Sequence, residues 1–256
     1  MLLTIDIGNT NVVAVVYDEK KERRFTQRFK TVKDDALLFY THWLKDDFLP
    51  HIHGLDLSAY CLSCVVPSIT ADVRSALTSV LGIDGINVST RTVPDFVIHL
   101  VNPSELGADF IATAFGAMAK YDAPLILADL GSATKISVIN ANGEFEGGII
   151  SPGVGISIDA LNRFIPHLPE IKMEVPANVI GKDTITSMQS GWLHGTIASV
   201  EGLADKIERE LGMKSTRVLT GGYSISLHQD FTGFAFEEFL LNEGLYEIYH
   251  KTHDSF

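Results

Sequence analysis

An α/β protein built from two similar subdomains facing each other across a cleft is the architecture this sequence predicts. Two observations carry that expectation. A strand, tight Gly turn and second strand occur twice, about half the chain apart: Thr4-Ile5-Asp6-Ile7-Gly8-Asn9-Thr10 before Val12–Val16, and Ala128-Asp129-Leu130-Gly131-Ser132-Ala133-Thr134 before Ile136–Ile139. Strand-like and helix-like runs then alternate along the chain. The repeat divides the chain into subdomains at 1–119 and 120–256, with Asp6 and Asp129 at the heads of the two hairpins, projecting into the cleft.

The first hairpin runs from Leu2 to about Tyr17 and continues through Phe25–Lys30. Asp34 and Asp35 lead into a helix over Ala36–Trp43, with Leu37, Leu38 and Trp43 as its apolar side. A buried strand, Cys61–Val66, ends at Pro67; Ser68 is placed to cap a helix over Ile69–Leu81 that stops at Gly82. Ile86–Val88 and Phe96–Ile98 read as short strands. Ser104–Gly107 precedes an Ala-rich helix, Ala108–Lys120, expected to cross between the halves. The second half opens with Leu125–Asp129 and its hairpin. A glycine-rich loop, Gly147–Gly153, leads into a helix over Gly155–Phe164. Thr184–Leu211 reads as two helices interrupted near Gly191 or Gly195. Arg217–Thr220 is a strand ending in a glycine turn, and Leu240–Tyr249 is a terminal helix followed by frayed residues.

Composition excludes several classes. The formal charge of −12 argues against a nucleic-acid partner, since phosphate backbones need clustered Lys and Arg. No run reaches the ~20 apolar residues of a membrane span, and the first residues read as a core strand rather than a leader. Two cysteines are too few for a disulfide framework, so a cytoplasmic setting is expected. Cys61 and Cys64 lie inside a strand, not at a helix start that would lower a thiol pKa, and read as packing residues.

The first hairpin carries the clearest chemistry. Gly8 is expected to allow the tight turn and let phosphate approach the backbone; Asn9, Thr10 and Asn11 add donors, and Asp6 is able to hold Mg²⁺. An Asn-containing turn is also an ordinary hairpin. The second copy, with Asp129 and Ser132, favours binding of a nucleotide polyphosphate and its metal. No Walker loop is present. Taken alone, Asp109 reads as a first-turn acid stabilised by the helix dipole.

Taken in order, Asp6-Ile7-Gly8-Asn9-Thr10, Val65-Val66-Pro67, Asn102-Pro103-Ser104-Glu105-Leu106-Gly107-Ala108-Asp109, Gly147–Gly153, Leu168-Pro169, Gly181-Lys182-Asp183-Thr184 and Thr220-Gly221-Gly222 span nearly the whole chain. The series resembles the type III pantothenate kinase family. That resemblance implies the actin-like ATPase fold with two ribonuclease H-like subdomains. It further implies ATP-dependent phosphorylation of pantothenate to 4′-phosphopantothenate, the first step of coenzyme A synthesis, by a homodimer that needs Mg²⁺ and a monovalent cation, K⁺ or NH₄⁺. By position, Asp6, Ile7, Gly8, Asn9, Thr10, Asn11, Val12 and Val13 would hold the ATP phosphates and Ser132 would contact ATP. Asp109 would be the general base. Gly107, Ala108 and Asp109 would line the acceptor site with Thr184, and Asp129 would bind the monovalent cation.

Several departures fall on the acceptor side. The family's Gly-Ala-Asp-Arg has Phe110 in place of the arginine that grips the pantothenate carboxylate. A Tyr that contacts the acceptor is replaced by Leu100. Losing a charged hydrogen bond costs roughly 1.5–3 kcal/mol unless another cation, such as Lys135, Lys182 or Arg163, substitutes. Asp-x-Gly-Thr-Ala-Thr-Thr reads here Asp129-Leu130-Gly131-Ser132-Ala133-Thr134-Lys135: the hydroxyl survives, and Lys135 adds a cation. Both acceptor changes make the pocket more apolar. They suit a working kinase that has drifted, a kinase paralogue with a less anionic acceptor, or a non-catalytic nucleotide-binding paralogue acting through partners.

Overall fold

In the computed structural model, which describes residues 1–253, β1 (Leu2–Ile7) and β2 (Asn11–Tyr17) pair antiparallel with Ile7 opposite Val12. Both strands are buried almost throughout, so they read as continuous apolar runs rather than alternating ones. β3 (Arg23–Lys30) lies antiparallel on β2 at the sheet edge. β4 (Ala59–Cys64) runs parallel to β1, and β5 (Gly85–Asn87) parallel to β4, giving the order β3-β2-β1-β4-β5.

Helix α1 (Ala36–His42) continues through a π-helical stretch, Trp43–Phe48, into the short α2 (Leu49–His51). With α3 (Pro67–Leu81) these helices bury Tyr40, Trp43, Phe48, Ile69 and Leu77 against Ile5, Val12 and Leu62 of the sheet. Each such side chain contributes about 1.5–3 kcal/mol of burial. α4 (Ala108–Met118) follows.

The second sheet repeats the first in order and sense. β6 (Leu125–Leu130) and β7 (Ala133–Ile139) form the hairpin, with β8 (Phe145–Pro152) antiparallel on β7. β9 (Thr216–Thr220) runs parallel to β6 and β10 (Phe234–Phe236) parallel to β9, so the order is β10-β9-β6-β7-β8. Its helices are α5 (Val154–Phe164), α6 (Thr184–Gln189), α7 (Gly195–Leu211) and the short α8 (Ser224–Leu227). Near the end of α7, buried Glu208 accepts from Arg217 Nε of β9 at 3.0 Å and from Lys214 Nζ at 2.7 Å. The Arg217 guanidinium, then Lys214 and the Ser215 N–H, hold the Glu208 carboxyl at about 2.

Residues 1–97 and 101–119 form one compact unit together with α9 (Leu240–His253), and residues 98–100 and 120–239 form the other. The expected split at 119/120 kept the terminal helix with the second half; it packs instead on α4. Its Asn242 is buried and donates to Thr4 O, Thr4 Oγ1 and Val13 O at 3.4, 3.2 and 3.2 Å. The expectation of frayed terminal residues falls on 254–256, outside the described residues.

Several local expectations are corrected. Leu37 and Leu38 are exposed; Ala36 and Tyr40 are the buried residues of α1. Ser68 does not cap α3: Pro67 is its first residue, where the missing N–H costs nothing, and Val66 precedes it without a side-chain cap. Gly82 ends α3 in the left-handed region, as expected. Phe96–Ile98 forms no strand beyond a single bridge from Ile98 to Phe145. Gly147–Gly153 is mostly strand β8 rather than a loop. The expected interruption of Thr184–Leu211 near Gly191 or Gly195 is a π-helical stretch, Ser190–His194, between α6 and α7. Cys61 is buried, and burial pushes its thiol up, away from thiolate reactivity. Among the described residues no helix is long and apolar enough to cross a membrane.

Candidate functional site

Asp6 stands one residue from the end of β1, opposite Val13 on β2 and in register with Ser63 on β4. Ser63 Oγ donates to Asp6 Oδ1 at 3.1 Å, which orients the half-buried carboxylate. The following turn closes through Gly8 N to Asn11 O at 3.0 Å. Thr31, just past β3, clamps it from the side: its N–H donates to Thr10 O at 2.9 Å and its Oγ1 to Gly8 O at 2.7 Å. Asn9, Thr10 and Asn11 are exposed, whereas the Ile7, Val12 and Val13 side chains are buried in the core. Gly8 is not needed for turn conformation, because its φ lies outside the left-handed region. A Cβ there would meet only Asn11 O at 3.3 Å. That oxygen closes the turn, so glycine spares it a tight contact and leaves the backbone uncovered beside exposed donors.

In the same unit, Gly107 is the extended N-cap of α4 and Asp109 sits in its first turn. Asp109 Oδ1 accepts from Phe110 N at 2.9 Å. A Cβ on Gly107 would lie 2.5 Å from that oxygen, so glycine is what permits this pose. Ala108 is buried, and Phe110 is half-buried beside the acid. The preceding Asn102–Glu105 stretch is a capped turn that sets the entry to α4: Asn102 Oδ1 accepts from Ser104 Oγ at 2.7 Å and Asn102 Nδ2 donates to Glu105 Oε1 at 3.0 Å.

The second hairpin turns more tightly. Leu130 pairs with Thr134, and Gly131 N donates to Ala133 O at 3.1 Å. Ser132 is half-buried at the tip, and its carbonyl accepts from Gly153 N at 3.1 Å. A Cβ on Gly153 would overlap Ser132 O, and Gly131 O would lie 2.5 Å away, so Gly153 presses directly on the turn. Asp129 is paired across the strands with Lys135, whose Nζ lies 2.7 Å from Asp129 Oδ2. The other carboxylate oxygen faces Gly221, a left-handed residue at φ 95° on which a Cβ would overlap Asp129 Oδ1. Tyr223 N to Leu130 O, 3.0 Å, ties that glycine turn to the end of β6.

Leu100 and Thr184 also belong to the second unit. Leu100 is half-buried just after His99, whose N–H donates to Phe145 O at 2.9 Å. Thr184 is exposed as the first residue of α6, behind the cap Asp183. The Thr186 N–H holds the Asp183 carboxyl below its usual range. Thus the residues from Asp6 to Val13 share one hairpin, Gly107, Ala108, Asp109 and Phe110 share one helix start, and Asp129 and Ser132 share the second hairpin with Lys135. Thr31 and Ser63 are the parts that sequence reasoning missed; Gly221 stood in the motif series without a role. Ser63 was detectable as a hydroxyl within an otherwise apolar strand; Thr31 carried no signal.

Among the described residues no three His, Cys, Asp or Glu side chains gather as a metal-holding group. Mg²⁺ that arrives with phosphates asks only for one or two carboxylates, and Asp6 at the head of an open turn fits that demand.

A family model described as type III pantothenate kinase matches residues 2–206. The chain is 36% identical over 259 residues to a type III pantothenate kinase of Roseiflexus sp. (strain RS-1), covering 97% of this chain and 98% of that one. Among solved structures, a conserved putative Baf family transcriptional activator from Campylobacter jejuni superposes with a TM-score of 0.62 at 20% identity, covering 99% of this chain and 100% of that one. A ROK family glucokinase from Streptomyces griseus, in complex with glucose and AMPPNP, gives 0.53 at 13% identity, covering 98% and 99%. The duplicated sheet and these likenesses establish the actin-like ATPase fold.

Proposed function

Because the chain belongs to the type III pantothenate kinase family, we propose that it transfers the γ-phosphoryl group of ATP to pantothenate, giving 4′-phosphopantothenate for coenzyme A synthesis. The observation that carries this reading is the family match across residues 2–206. Phosphoryl transfer needs in-line positioning and charge neutralisation more than covalent help. The open turn from Gly8 to Asn11 offers main-chain and side-chain donors to the phosphates, while Ser63 orients Asp6 beside it. Asp6 would hold Mg²⁺, which neutralises phosphate charge when bound. Ser132 adds a hydroxyl to the nucleotide from the second hairpin. Asp109 would accept the proton of the attacking hydroxyl; its ordering by Phe110 N supports that role. By the family resemblance, Gly107 and Ala108 would line the acceptor and Thr184 would touch it. A homodimer and a cytoplasmic setting follow from the family resemblance.

One feature favours a second reading of the acceptor. Phe110 follows the proposed base where the family pattern has arginine, so a less anionic pantothenate-like alcohol is the alternative substrate. Incubation with ATP, Mg²⁺, K⁺ and pantothenate, read by mass spectrometry, tests both. 4′-Phosphopantothenate at a rate matched by no uncharged analogue supports the first reading; preference for an uncharged analogue supports the second. No product from any acceptor, with ATP binding confirmed, would leave a non-catalytic role.

A further inference from the structure

We propose that the ammonium group of Lys135 takes the place of a monovalent cation at Asp129, so that this kinase works without added K⁺ or NH₄⁺. The inference rests on the kinase reading above and concerns the charge at its second hairpin.

The register sets the two side chains next to each other. Asp129 and Lys135 are directly opposed across the antiparallel β6–β7 ladder, so both side chains leave the same face of the sheet. The lysine stem folds back and sets Nζ 2.7 Å from Asp129 Oδ2, a charge-assisted contact. The two side chains retain only 17% and 16% of their exposure, so the pair is shielded more than an ordinary surface bridge.

The rest of the carboxylate is hemmed in. Gly221 closes on Oδ1 so tightly that no Cβ would fit, and a Cβ on Gly131 would lie 3.4 Å from the same oxygen. An ion bound at Oδ2 would have to displace the lysine ammonium or sit beside it. Sitting beside it brings two positive charges within a few ångströms in a shielded place, which is unfavourable. The donor set present therefore does not fit a dissociable monovalent ion at Asp129.

The lysine supplies the same charge from within the chain. Its head group is a substituted ammonium, with the charge and N–H donors of NH₄⁺. Tethered one strand away, it is present at an effective concentration that free salt does not match. The consequence is an enzyme whose phosphate-side charge does not vary with the potassium supply.

The test uses the full chain and two readouts. The first is 4′-phosphopantothenate formation with Mg²⁺ and ATP in choline chloride against KCl or NH₄Cl at equal ionic strength. The parent chain should change by less than about twofold, whereas Lys135→Thr should become about tenfold or more dependent on K⁺. Lys135→Arg should remain independent. The second readout needs no turnover: the thermal midpoint is followed as K⁺ replaces choline. Lys135→Thr should gain a K⁺-specific rise that the parent chain lacks. Tenfold activation of the parent chain by K⁺, or a K⁺-specific rise in its midpoint, overturns the proposal. A Lys135→Thr midpoint indifferent to K⁺ does so too. If Lys135→Thr does not fold, the parent-chain titrations and Lys135→Arg decide. If no salt yields product, the kinase reading fails, while the midpoint titration still judges the lysine.

Discussion

Gly116 of α4 and Gly244 of α9 meet where the two helices cross: a Cβ on Gly244 would lie 2.8 Å from Gly116 N, and one on Gly116 3.1 Å from Gly244 N. Those Cβ atoms would also overlap Ala112 O and Leu240 O. Backbone therefore packs on backbone, which draws the terminal helix onto the one that carries Asp109.

Alanine at either glycine should destabilise the fold by about 1–3 kcal/mol or more, because rigid backbone must shift to admit it. Gly202, inside α7 with nothing near its missing side chain, is the contrasting site. Gly202→Ala should stabilise by about 0.5–1 kcal/mol through helix propensity and unfolded-state entropy. Urea midpoints of the three variants check the opposite signs.

Asn242 donates into the β1–β2 pair from α9. Asn242→Ala should cost about 1–3 kcal/mol by leaving buried acceptors without their donor. Asn242→Asp should cost more, since an acceptor-only carboxylate would then face Thr4 O and Val13 O. Guanidinium titrations of the pair give the order, and equal losses would argue against the donor role.

The Glu208 carboxyl titrates at about 2 when folded against 4.5 ordinarily, mainly because Arg217 bonds it. A depressed acid contributes stability that is present above 4.5 and is lost as pH falls through about 2. Glu208→Gln should therefore lower stability near neutral pH by on the order of 1–2 kcal/mol, and the gap should close on acidification. Thermal midpoints measured from neutral pH to about pH 3 follow it; a pH-independent gap would point to packing instead.

Asp109→Asn keeps an oxygen for Phe110 N and so should leave the helix start and ATP affinity intact. It removes the proposed base, and kcat should fall by about 10²–10⁴. Steady-state kinetics beside nucleotide-binding titrations separate the two effects.

Phe110→Arg, alone and with Leu100→Tyr, should lower the KM for pantothenate by about ten- to a hundredfold if the acceptor pocket lacks a cation. An unchanged KM would mean that another residue already holds the carboxylate.

Both hairpins were legible from sequence because a buried strand pair needs only apolar runs on either side of a short turn. Val12–Val16 and Ile136–Ile139 supply that signal locally, and the shared strand order of the two sheets follows from the same repeat. The motif series located the Asp6 turn and the start of α4 for the same reason: each is a continuous stretch of chain. What only the tertiary structure decided depends on partners distant in sequence. Leu37 and Leu38 look like core residues until the sheet is seen to take Tyr40 and Ala36 instead. Helix α9 has an ordinary amphipathic pattern, and only Gly116 and Gly244 reveal which helix it joins. Lys135 was visible as a charge, but its direction follows from cross-strand register and from the closure of Gly221 on Asp129. Apolar periodicity encodes which segments form strands and helices; the aim of a single side chain is set by the packing of elements that the local sequence does not contain.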